Sequence, residues 1–121
     1  MKIEIDVSDS IIASTIDSAL SASGGCLWCE EAKFPDTIGE RSVATFLLDN
    51  GIVTFVHDEV TNKEGIARTE TTINREELEA GLRVLADALP HHFADLLNEN
   101  ADSETGEYLL QCALFGDVVF E

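Results

Sequence analysis

The stretch from Ala67 to Pro90 constrains this chain more tightly than any other. Ala67 to Ile73 is rich in β-branched residues, the composition of a strand. It leads without a spacer into Asn74, whose side chain can cap a helix while Glu77 reaches back to the cap. Ile73 and Leu78 flank that cap as a hydrophobic staple. Leu78, Leu82, Leu85 and Leu89 then recur at i, i+4, i+7 and i+11, drawing one apolar stripe down a helix. Pro90 terminates it, because a proline ring disfavours helical geometry at the residue before. A strand feeding an amphipathic helix in this way calls for a mixed α and β architecture.

The rest of the chain fills in that frame. Ile52 to His57 reads as the partner strand of a hairpin, with the loop at Thr61-Asn62-Lys63-Glu64-Gly65. Ser8 caps an amphipathic helix over residues 9 to 21, stopped by Gly24-Gly25. Cys26 to Phe34 reads as a short strand that turns at Pro35-Asp36. Ser42 to Leu48 fits a short helix or an edge strand, and Asp49-Asn50-Gly51 ends it. Pro90 can itself open a helix with Phe93, Leu96 and Leu97 on the buried side. Asp102 or Ser103 caps a last helix through Tyr108, Leu109, Cys112 and Ala113, Gly116 ends it, and Val118 to Phe120 reads as a terminal strand. The expected fold is a single small α+β domain over residues 1–121, an antiparallel sheet packed against three or four helices.

Charge excludes whole classes of partner. Twenty-four Asp and Glu stand against 7 Lys and Arg, a formal charge of −17, so direct binding to nucleic-acid phosphates or to an anionic membrane is disfavoured. No apolar run exceeds four residues, far short of the ~20 that span a bilayer. Met1 to Asp9, MKIEIDVSD, does not read as an export signal. Three cysteines, an odd number, suit a reducing cytoplasm better than a disulfide scaffold.

Cys26-Leu27-Trp28-Cys29 has the C-x-x-C spacing of a metal or redox pair. A zinc site needs two further ligands, and Cys112, His57, His91 and His92 form no second pair at ligand spacing. Cys29 and Cys112 therefore read as small buried hydrophobes, and a small metalloprotein using Cys26 and Cys29 is the outlying alternative. No nucleophile elbow or phosphate loop accompanies the histidines. His57-Asp58-Glu59 reads as a solvated hairpin end, and His91-His92 as the polar start of a helix. The expectation is a chain that is not an enzyme, with no catalytic residue, no metal and no cofactor.

The acids are unevenly placed. Arg83 is the last base, and the 38 residues after it hold eight acids without a Lys or Arg. Asp95, Glu99, Asp102, Glu104 and Glu107 fall on or between two helices whose apolar sides are committed to the core, so their carboxylates are expected to face solvent. Such a one-sign field would steer a basic partner and imitate the charge spacing of a nucleic acid; it would also serve solubility alone.

Gly24-Gly25-Cys26-Leu27-Trp28-Cys29, the Thr72-Ile73-Asn74-Arg75-Glu76-Glu77-Leu78 helix entry, Asp102-Ser103-Glu104-Thr105 and Gln111-Cys112-Ala113-Leu114-Phe115-Gly116-Asp117-Val118-Val119-Phe120 together resemble small acidic uncharacterised proteins of bacteriophages and mobile elements. Leu27, where that pattern has an aromatic, and Gly106-Glu107, where it has Ala-Asp, depart from it. The resemblance implies a bacterial cytoplasmic setting and carries over no catalytic residue. It also has a packing explanation, with Trp28 as a core anchor and Leu114-Phe115 and Val118-Val119 closing the core. The leading functional expectation is a host-defence antagonist: an acidic nucleic-acid mimic that binds and inhibits a basic host protein, at a Lys/Arg-rich nucleic-acid-binding groove, through Asp95, Glu99, Asp102, Glu104 and Glu107. The alternative is a phage structural or assembly protein whose acidity is only solubility.

Overall fold

The computed structural model describes residues 7–21, 27–100 and 102–120. Along the chain these form α1 (Asp9–Ser21), β1 (Cys29–Lys33), a 3-10 turn (Asp36–Ile38), α2 (Val43–Leu48), β2 (Val53–Thr61), β3 (Ala67–Ile73), α3 (Arg75–Ala88), α4 (Pro90–Leu97) and α5 (Ser103–Phe115). The strands make one antiparallel sheet in the order β1-β2-β3. The chain is a small α+β domain, as its patterning predicts.

The helix entries follow the cap chemistry of the sequence. Asn74 accepts from the N–H groups of Glu76 and Glu77 at 2.9 and 3.4 Å, while the Glu77 carboxylate accepts from Asn74 N–H. Ser42 accepts from Thr45 N–H, which resolves the 42–48 segment as a helix. Asp102, rather than Ser103, caps α5. Ser8 accepts from Ile11 N–H at 3.3 Å at the start of α1. The Gly24-Gly25 stop expected after α1 lies outside the described residues.

α5 is the axis of the core, packed between α1 and α3. Two glycines bring the backbones close: a Cβ at Gly81 of α3 would sit 2.6 Å from the Ala113 nitrogen of α5, and one at Gly106 of α5 would overlap the Thr15 carbonyl of α1. Leu109, Leu110, Cys112 and Leu114 of α5 are buried with Ile16, Leu78 and Leu85 from its neighbours and Val53, Phe55 and Ile73 from the sheet. Arg68 of β3 donates to the Leu114 carbonyl at 3.3 Å, placing a cation at the negative end of the α5 dipole.

Two expectations fail here, each for a physical reason. Val118 to Phe120 is not a strand. Its backbone pairs instead with the side chain of Gln111, 1% exposed: Gln111 Oε1 accepts from the N–H groups of Val119 and Phe120 at 2.8 and 2.7 Å, and Nε2 donates to the Phe120 carbonyl at 2.8 Å. One side-chain amide thus satisfies three main-chain groups that a neighbouring strand would otherwise take. His57 is not solvated either. β2 runs past it to Thr61, and the alternation Val53, Phe55, His57 turns the imidazole inward, where it is 2% exposed.

Candidate functional site

The carboxylates expected to share one outward face have three different fates. Asp95 and Glu99, at and just beyond the end of α4, are exposed, and no side chain among the described residues pairs with them. Glu99 also has φ +58°, a left-handed backbone in the position after a helix where glycine or asparagine is the strain-free residue. Asp102 is exposed as well, and it caps the start of α5. Its Oδ1 accepts from the Thr105 N–H at 3.0 Å and the Thr105 hydroxyl at 3.2 Å. Those bonds hold its carboxyl below the ordinary aspartate range, the backbone bond foremost and the nearby His92 contributing least.

His92 joins this cap from α4. Its Nδ1 lies 2.9 Å from the Thr105 Oγ1. Because the hydroxyl hydrogen is committed to Asp102, the imidazole is the donor in that contact. Its ring also meets Tyr108 edge-on at 4.8 Å. The trio of Asp102, Thr105 and His92 therefore docks α4 onto α5, and Thr105, 1% exposed, is a joint rather than a nucleophile. Asp102 is thus a capping carboxylate on a residue that stays exposed, as expected.

Glu104 and Glu107 belong to a second feature, a groove of about 500 Å³. One wall is a single face of α5, where Glu104, Glu107, Tyr108 and Gln111 fall three and four residues apart. The facing wall is Leu27 and Trp28 before β1, Asp58 of β2 and Phe120. Glu104 accepts from the Tyr108 hydroxyl at 3.2 Å, and Glu107 is half-buried rather than outward.

The aromatic side of the groove is built by packing. Trp28 stacks on Phe120, ring centroids 5.8 Å apart and planes within 8°, and meets Phe115 edge-on at 5.9 Å. Phe115 also packs edge-on to His57 at 4.8 Å. The Gln111 clamp fixes Phe120 in that stack. Asp58 N–H donates to the Trp28 carbonyl at 2.8 Å and fastens the turn to β2. Trp28 is 5% exposed, the core anchor that the sequence predicts, yet its Nε1–H is buried without an acceptor. Leu27 beside it is 88% exposed and forms an apolar rim.

Charge pairing is confined to the other side of the chain. Between described residues the ion pairs are Lys33 with Glu70, Arg41 with Asp49, and Arg75 with both Asp9 and Glu79. All precede residue 84, so among the described residues no Lys or Arg pairs with a carboxylate of α4 or α5.

The cysteine and histidine candidates do not converge. Cys29 and Cys112 are free thiols. Burial pushes the Cys112 thiol up to about 11 and raises Cys29 as well. Cys26 lies outside the described residues. His57 is occupied at both nitrogens, by the Asp58 carbonyl at 2.7 Å and the Thr71 hydroxyl at 2.8 Å. Among the described residues no cluster of three or more His, Cys, Asp or Glu could hold a metal ion.

The groove was only half legible in the sequence. Glu104 and Glu107 stood in the acidic set, and Trp28 stood out as the only tryptophan. Asp58, Tyr108, Gln111 and Phe120 were missed as site residues. The i, i+4 pairs Glu104/Tyr108 and Glu107/Gln111 are visible as one helix face, but nothing local pairs that face with Trp28. No family model matches this chain, and no curated protein or solved structure matches it. No described helix is long and apolar enough to cross a membrane.

Proposed function

We propose that this protein is a non-enzymatic accessory protein of a phage or mobile element that binds and inhibits a basic host protein, presenting its α4–α5 carboxylates in place of a nucleic-acid backbone. The observation that carries this reading is the segregation of charge. Ion pairs between described residues involve only the first part of the chain, and among the described residues no Lys or Arg pairs with Asp95, Glu99, Glu104 or Glu107. Carboxylates held together without counter-ions repel one another, and a Lys/Arg-rich surface relieves that repulsion on binding and is drawn in faster by the field. The strained backbone of Glu99 supports the reading, since a charged side chain occupies a place that glycine would fill without cost. The phage setting and the bacterial cytoplasm rest on the sequence resemblance alone.

The test is a pull-down from bacterial lysate with the native protein and with an Asp95→Lys, Glu99→Lys, Glu107→Lys variant. Asp102 is left intact because it caps α5. The expected outcome is a captured basic protein that is released by salt, displaced by duplex DNA, and lost in the charge-reversed variant while its melting curve is unchanged. If the folded variant keeps the same partners at every ionic strength, the acidity serves solubility, and a structural or assembly role replaces this reading.

A further inference from the structure

We propose that the groove between α5 and the Trp28 turn receives an arginine side chain of a partner protein. The inference rests on the acidic-face reading and sharpens it to one pocket. The volume, about 500 Å³, lies in the range of ligand sites, and its lining has a consistent chemistry. Carboxylates of Asp58, Glu104 and Glu107 converge on it from both walls, while Trp28, Tyr108 and Phe120 supply aromatic surface. No side chain among the described residues pairs with the Asp58 or Glu107 carboxylate, so both are open to an incoming donor.

A planar guanidinium matches this lining better than an ammonium. It can lie against an aromatic ring while its fork of N–H donors serves two carboxylates at once. The exposed Leu27 at the rim suits the aliphatic stem of an arginine. A protonated polyamine carries only ammonium donors and has no planar face to lie against the rings.

The groove is also built rather than incidental. Gln111 holds Phe120 by two hydrogen bonds and Val119 by a third, and Phe120 holds the Trp28 ring by stacking. The C-terminal motif thus explains its own residues: Gln111 on one wall fastens Phe120 on the other, and Phe115 packs against Trp28 beneath them.

The experiment titrates the intact protein with a capped peptide of alternating glycine and arginine, its lysine counterpart and spermine, at low salt. Emission from Trp28, the only tryptophan, reports the groove, and calorimetry reports affinity. The arginine peptide is expected to bind, to shift the Trp28 emission, and to exceed the lysine peptide in affinity. Asp58→Asn with Glu107→Gln should weaken it roughly tenfold, as removal of charge-assisted partners does. Glu40→Gln with Glu64→Gln removes the same charge from exposed positions outside the groove and should change affinity by less than about threefold. Asp58→Asn alone, at an exposed strand position, repeats the test if the double variant folds poorly. Equal weakening by both pairs overturns the groove and leaves the acidic face standing. So does dominance of an Asp95→Asn with Glu99→Gln pair. Spermine matching the arginine peptide, with the same response to the variants, overturns the arginine assignment, and so does an arginine peptide that does not bind the native protein. Failure of the broader reading is seen separately, in host partners that survive charge reversal.

Discussion

Around Arg75 and around the α4–α5 junction the molecule uses acidic residues in opposite ways. Arg75 donates to both Asp9 oxygens at 3.0 and 2.9 Å, to Glu79 at 2.9 Å and to the Leu48 carbonyl at 2.7 Å. One guanidinium thereby ties the start of α1, the end of α2 and the first turns of α3. At the α4–α5 junction no described Lys or Arg plays that part, and the joint runs from the Asp102 carboxylate through the Thr105 hydroxyl to His92, with the remaining carboxylates left to solvent or to the groove. With so few bases in the chain, each ion pair is an allocation, and none between described residues involves an acid of α4 or α5. Acids that serve the fold can thus be told from acids that do not by asking which have partners.

If the groove side is held by aromatic packing in place of ion pairs, its anchor should carry the largest single effect. Trp28→Ala removes a ring packed on Phe115 and Phe120 and is expected to cost about 3–5 kcal/mol, the range for truncating a large buried aromatic. Urea unfolding followed by circular dichroism checks it, since the only tryptophan is gone. A midpoint close to that of the native protein would show that the groove wall is not part of the core.

On the paired side the counterpart is Arg75→Met, which keeps the stem and deletes the charge. Two half-exposed carboxylates lose a partner and the Leu48 carbonyl loses a donor, so a loss of about 1–2 kcal/mol is expected. The loss should shrink in high salt as the ion-pair part is screened. An effect independent of salt would assign the stabilisation to the carbonyl bond alone.

The paired half was also the more legible one in the sequence, and the reason is range. The Asn74 box, the Leu78 stripe and the Pro90 stop act within a few residues of each other, so local chemistry decides them. The capping role of Asp102 was legible for the same reason, and the structure adds that its Oδ1 is engaged by Thr105. His57 and the C-terminal tail were misread because tertiary partners decide them. The inward side of His57 follows only once β2 continues to Thr61, and the tail pairs with a buried glutamine that no periodicity marks. The groove needs Trp28, Asp58, α5 and Phe120 together, and only the fold joins residues so far apart.

The two helix caps sharpen the comparison at about 1 kcal/mol each, the usual worth of an N-cap side chain. Asn74→Ala and Asp102→Ala should look alike at neutral pH. They should part in acid. Because the folded protein holds the Asp102 carboxyl below its ordinary range, its contribution is full above the ordinary aspartate value and fades as pH falls through the lowered one. The amide of Asn74 does not titrate. Thermal melts of the variants and the native protein, from neutral pH into acid, should therefore show the Asp102→Ala difference closing while the Asn74→Ala difference persists. Closure of both together would mean that acid destabilisation arises elsewhere.

The smallest expected effect bears most directly on the difference between the halves. Asp95→Asn with Glu99→Gln removes two exposed carboxylates that no described side chain pairs with, so stability should stay within about 0.5 kcal/mol of native, as surface substitutions do. Any change should be a gain, because a chain of formal charge −17 repels itself and two charges fewer relieve that repulsion. The gain should be visible at low ionic strength and vanish near 1 M salt, where the screening length is about 3 Å. The same variant should bind a basic partner more weakly under the low-salt conditions in which it is more stable. Opposite signs for stability and binding are the mark of carboxylates held for a partner. A loss of stability as large as that of Arg75→Met would show instead that Asp95 and Glu99 serve the fold, and the contrast between the two regions would disappear.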